Sequence, residues 1–184
     1  MTAPADIPPA RARELVGLFH PAAERFGEFA AVAAPDVPPA ARRLLDHTSH
    51  MTVAMERFHG NVVDLDVVAR TDCPDGRYAR EILLRLPDGR VVQHGIVRID
   101  LDRLGPTTAA AIRGETLPLG RILLATGRLC EVHDVHLLRV VAGPHLAGLF
   151  STANATELFG RVAMIDLDGR PAIELLEISA PLPP

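Results

Sequence analysis

The sequence predicts an α+β fold: an antiparallel sheet of about six strands flanked by helices, the helices expected on one side of it. Three observations carry this reading. Strand-like segments follow one another with turn signals between them, most clearly PDG at 87–89 and DLDGRP at 166–171, which is the pattern of local hairpins. Apolar residues recur at helical spacing in separate segments before and between those hairpins. Strands and helices do not alternate regularly, as repeated βαβ units would require.

Residues 1–10 are rich in Pro and Ala and read as a loose tail. RARELVGLF (11–19) fits a helix, with Leu15, Leu18 and Phe19 on one face. A Pro-rich joint leads to a short helix around 39–47, where Pro39 suits the first position because its missing N–H costs little. Residues 1–39 are thus expected to form an N-terminal extension, and 40–184 the main domain. MTVAMERFHG and NVVDLDVVART read as adjacent strands reversing at HGN. YAREILLRL and RVVQHGIVRID form the next hairpin across PDG. DRLGPTTAAAIRG and LGRILLAT are expected to be helical, followed by a strand over RLCEVHDVHLLRVV. HLAGLF makes a helical turn, and TELFGRVAMIDLDGRPAIELLEIS is the last hairpin.

Composition narrows the functional classes. In 184 residues, 48% hydrophobic content supplies one core, while 4% aromatic content without Trp argues against a site built on stacking. The net charge of −4 and the lack of a Lys/Arg block speak against a nucleic-acid partner. Cys73 and Cys130 make neither a CxxC pair nor a disulfide framework. With no leader pattern and no apolar run long enough to span a bilayer, no membrane partner is expected and a cytoplasmic protein is. No coiled-coil seam demands a second copy, so a monomer satisfies the pattern and the oligomeric state stays open.

Alternation along the strands selects candidate residues. In YAREILLRL, Arg80 shares the more apolar face with Tyr78, Ile82, Leu84 and Leu86, whereas Glu81 and Arg85 fit a wetter one. An inward arginine requires a carboxylate, a route to water or a bound anion. In RPAIELLEISA, Glu174 and Glu177 fall on opposite faces, both largely apolar, so alternation does not choose between them. His133 and His136 stand on opposite faces of their strand, and no metal site is expected, since no HExxH or clustered Cys/His pattern occurs. A phosphate loop and a GxSxG elbow are absent, and Ser49, Ser151 and Ser179 carry no sign of activation.

MTVAMERFHG, YAREILLRLPDGRVVQHGIVRID, LPLGRILLATGRL and GRPAIELLEI, in this order, resemble the chorismate pyruvate-lyase family, particularly its actinobacterial, 4-hydroxybenzoate-forming branch. The resemblance covers roughly residues 40–180. It implies an antiparallel sheet with a ligand enclosed beneath helical flaps. The implied activity is a carbon–oxygen lyase that splits chorismate into 4-hydroxybenzoate and pyruvate without metal or organic cofactor. By this resemblance Arg80 holds the ring carboxylate, and Glu177 meets the ring hydroxyl and the reacting ether. Leu119 is a flap residue on the pocket wall, and Met51 and Thr52 border the ligand. Glu174 has no counterpart and is read as structural. A non-catalytic sensor of an aromatic acid, an enzyme acting on a related acid and an interaction domain are the alternatives. Related folds serve as ligand-sensing domains of transcription regulators, and the lack of a preceding helix-turn-helix weighs against that alternative.

Overall fold

The computed structural model describes residues 7–183, so the first six residues of the expected tail lie outside the described residues. In it, a single antiparallel sheet of seven strands runs in the order β1-β5-β6-β7-β4-β3-β2. The strands are β1 (Gly27–Ala31), β2 (Asp64–Asp72), β3 (Tyr78–Arg85), β4 (Val91–Ile99), β5 (Cys130–Ala142), β6 (Glu157–Leu167) and β7 (Arg170–Ser179). The two hairpins signalled by Asp-Gly form as expected. Between β6 and β7, Asp168 and Gly169 both take positive φ, 49° and 74°, and Leu167 pairs with Arg170. Such a two-residue turn matches the right-handed twist of the strands it joins.

Burial along the strands follows position in the sheet. The edge strand β2 alternates between exposed and half-buried residues, while β3, β4 and β7 are buried on both faces over most of their length. Both faces are therefore covered, not one. On the first face lie α1 (Ile7–Gly17), the short α2 (Ala23–Phe26) and α8 (Pro144–Phe150), where Leu15, Val16, Phe26 and Leu146 pack on Leu138, Val162, Leu176 and Ile178. On the second face lie α3 (Pro39–Leu45), α4 (Met51–His59), α6 (Pro106–Arg113) and α7 (Leu119–Ala125), preceded by the single turn α5 (Leu101–Leu104).

Two segments depart from the sequence reading. MTVAMERFHG is the helix α4, not a strand. Met51 and Met55, one turn apart, both face the core, and Gly60 closes the helix in the left-handed conformation at φ 63°. A short run of mixed polarity satisfies either period, and packing against α3 and α7 selects the helix here. The stretch between the first helix and the Pro-rich joint, which the sequence reading left without an element, contains β1, which pairs with β5 from Gly27↔Ala142 to Ala31↔Leu138. Residues 7–31 thus supply a helix and an edge strand to the same sheet and core. No helix among the described residues is long and apolar enough to cross a membrane.

Candidate ligand-binding site

Between the second face of the sheet and its helices lies a cavity enclosing about 580 Å³ of space free of protein atoms, part of it open to solvent. The floor is built from the inward side chains of the central strands: Arg80, Ile82 and Leu84 of β3, Gln93 and Val97 of β4, and Leu175 and Glu177 of β7. Gly95 keeps the middle of this floor low. It stands between Ile82 and Glu177 in register, and a Cβ there would lie 3.2 Å from Ile82 Cδ1. The roof comes from the starts of two helices, with His50, Met51 and Thr52 at the head of α4 and Pro118, Leu119 and Gly120 at the head of α7. Close approach of these heads requires Gly120, whose added Cβ would sit 3.1 Å from both His50 Cβ and Thr52 Oγ1. Met51 and Thr52 occupy the first turn of α4, where backbone N–H groups have no partner within the helix.

The five residues singled out from the sequence, Met51, Thr52, Arg80, Leu119 and Glu177, therefore line one cavity. Their circumstances differ. Arg80 is 1% exposed and makes a single side-chain hydrogen bond, from Nη1 to the Ile112 carbonyl at 3.2 Å. Its Nε is buried without a protein partner, and no carboxylate lies within ion-pairing distance among the described residues. The nearby acid, Glu115, is engaged by Arg70 at 2.5 Å and by the Tyr78 hydroxyl at 3.2 Å. Burial accordingly pulls the Arg80 pKa below its ordinary value, with Tyr78 and Glu115 opposing the shift. A second orphan is Gln93 Oε1, also buried and on the cavity floor. A buried donor and a buried acceptor left over on one wall ask for a ligand that carries both functions.

Glu177 is not free in the same way. Its Oε2 accepts from Nε of Arg161 at 2.7 Å, and Arg161 is fully buried on β6. Arg161 further donates to the carbonyls of Leu45 and His47, at 3.2 and 2.7 Å, which fastens the segment linking α3 to α4. Arg161 and His50 are cavity residues that the sequence reading passed over. The signal was available for Arg161, which alternates with Phe159, Ala163 and Ile165 just as Arg80 alternates with Ile82 and Leu84. Glu174, on the other face, joins Arg77 at 2.8 Å and Arg98 in a partly buried ion-pair network.

Glu81 corrects an expectation. It lies 1% exposed under α1 and α8 and not on a wet face. Its Oε1 accepts from Nε2 of His94 at 2.7 Å and of His20 at 2.8 Å. Burial would raise the Glu81 pKa, but these imidazoles outweigh it and hold the carboxyl down at about 2.

Three histidines in and just before α4, His47, His50 and His59, are held below their ordinary 6.5, in each case first by burial. The folded protein keeps them neutral where the unfolded chain binds protons, so stability falls as the pH drops through 6.5 towards their folded values. The urea midpoint is expected to decline steadily between about pH 7 and about pH 5. A midpoint that holds or rises over that range contradicts these environments.

No protein-family model and no curated protein sequence matches the chain. Solved structures do resemble it. PhnF from Mycobacterium smegmatis superposes with a TM-score of 0.58 at 13% identity, over 73% of this chain and 64% of that one. The effector domain of the same protein gives 0.54 at 13% identity, over 72% and 88%. The ligand-binding domain of a transcriptional regulator assigned to the GntR family, from Bordetella bronchiseptica, gives 0.52 at 14% identity, over 64% and 85%. The class follows: the chain has an α+β fold shared with the ligand-binding domain of that GntR-family regulator and with PhnF. At these identities the likeness is one of fold.

The expected lyase is corrected at this point. The solved structures named above include a transcriptional regulator's ligand-binding domain and the effector domain of PhnF, so the likeness points away from the expected carbon–oxygen lyase. Glu177, the carboxylate expected to act at the reacting ether, lines the cavity and is also the ion-pair partner of the buried Arg161.

Proposed function

We propose that the chain is a non-catalytic binding domain for a small cyclic or aromatic carboxylic acid, with Arg80 as the carboxylate anchor. One observation carries this reading: a buried guanidinium, facing a cavity, that no protein carboxylate neutralises among the described residues. Burying a charge unpaired is costly, and a ligand carboxylate received by the planar donor fork would remove that cost. Gln93 Oε1 would accept from a ligand hydroxyl, and Ile82, Leu84, Val97 and Leu175 would enclose the ring. The fold shared with ligand-binding and effector domains supports the same class. Chorismate and 4-hydroxybenzoate are the ligands that the sequence resemblance brings forward, each with a carboxylate and a ring hydroxyl.

Incubation with chorismate followed by chromatography tests the non-catalytic part. Chorismate is expected to be recovered unchanged from solutions in which it protects the protein against heat. Equal amounts of 4-hydroxybenzoate and pyruvate, accumulating with time and protein concentration, would overturn it.

A further inference from the structure

On the face of the sheet opposite the cavity, three elements bring metal-binding atoms together. Glu81 projects from the middle of β3, His20 follows the end of α1, and His145 stands in the first turn of α8. The Nε2 atoms of His20 and His145 lie 2.8 and 3.9 Å from the same oxygen, Glu81 Oε1, and all three ligand atoms fall within 4.8 Å of one another. We infer that His20, Glu81 and His145 form a binding site for a divalent transition metal of the zinc type.

The geometry needs little adjustment. Zinc bonds of about 2.0–2.2 Å to nitrogen and oxygen place tetrahedral ligands about 3.4 Å apart. The contact from His20 therefore opens by roughly half an ångström and that from His145 closes by as much. The donor set is chemically suited: two imidazoles and one carboxylate favour zinc and its first-row neighbours over calcium or magnesium. His94 completes the arrangement from behind. Its Nε2 donates to Glu81 Oε1 at 2.7 Å, which orients the carboxylate as outer partners of metal ligands do. Phe26 packs against all three imidazoles, with ring centroids 5.1 Å from His20, 5.1 Å from His94 and 5.7 Å from His145.

Charge and access point the same way. Among the described residues, the buried Glu81 carboxylate has no Lys or Arg partner, only these histidines. A divalent cation would neutralise it. The side chain of His145 is 40% exposed and that of His20 19%, and both border an open cleft with Phe19 and Pro144. Three protein ligands rooted on the buried Glu81 and open positions towards the cleft make a site that metal can enter from solvent. Sequence spacing hides it, because the ligands come from three distant segments.

The test is calorimetric titration of the chelator-stripped chain with zinc chloride, alongside His145→Ala, His20→Gln and the control His133→Ala. One equivalent is expected to bind wild type and the control with equal affinity. Each site variant is expected to lose at least about ten-fold in affinity, the lower end of what even outer partners of a metal contribute. Both site variants are checked for unchanged circular dichroism. Absence of saturable binding, or unchanged zinc affinity in either folded site variant, would overturn the site.

Discussion

Arg80→Met is expected to abolish binding of the carboxylic acid while making the ligand-free protein more stable. Both effects have one origin. The wild-type guanidinium is 1% exposed, has one hydrogen bond to a carbonyl and leaves its Nε unsatisfied. Methionine fills a similar volume among Ile82, Leu84 and Val97 without a charge to desolvate. Replacing buried ionic groups with well-packed apolar ones gains about 1–4 kcal/mol where the charges are not needed for folding. Ligand at a hundred times its Kd should stabilise wild type by about 2.7 kcal/mol and the variant not at all. Urea denaturation with and without ligand measures both quantities. A variant that is less stable than wild type, or that is still protected by ligand, contradicts the assignment of Arg80 as an anion anchor. Binding function placed at the expense of stability is a familiar trade.

Glu177→Gln is expected to produce the opposite kind of result, a large loss of stability. Arg161 is fully buried, and Glu177 is its carboxylate partner. Without the negative charge, the guanidinium faces only neutral acceptors: the carbonyls of Leu45, His47 and Ser49, the His47 imidazole and the new amide oxygen. Breaking one side of a buried pair costs about 3–5 kcal/mol, because the remaining charge stays in low dielectric. The segment joining α3 to α4 should loosen with it, which hydrogen exchange would detect. Glu174→Gln is the comparison. There Arg98 keeps Glu14 and Arg77 keeps Asp75, so a much smaller loss is expected. Equal destabilisation by the two substitutions, or a Glu177→Gln variant as stable as wild type, would contradict this division of roles.

These two residues also mark what was legible in the sequence. Alternation in YAREILLRL placed Arg80 on the apolar face, and the resemblance drew Met51, Thr52, Leu119 and Glu177 to the same site, where the structure brings all five together. Hairpins announced by Asp-Gly were read directly, since tight turns are local. What was missed depends on distant partners. Glu81 looked like a surface carboxylate because its cover, α1 and α8, comes from segments far away along the chain. β1, just before the Pro-rich joint, was missed, since an edge strand of five residues is specified by its pairing to β5 more than by its own composition. MTVAMERFHG fits both periods, and only the contacts of α4 with α3 and α7 decide for the helix. The lyase reading failed for another reason: motifs shared along a fold report the pocket, whereas activity depends on how each side chain in it is engaged.

Calorimetric titration with 4-hydroxybenzoate and with its uncharged analogue 4-hydroxybenzamide tests the central claim most directly. The two ligands share ring and hydroxyl and differ in the charge that Arg80 would meet. Saturable binding of the acid at one equivalent, with the amide weaker by at least about a hundred-fold, is the expected result, since a charged hydrogen bond in a buried site contributes roughly 1.5–3 kcal/mol and leaving the guanidinium unpaired costs more. Equal affinity for acid and amide would contradict a carboxylate anchor in this cavity.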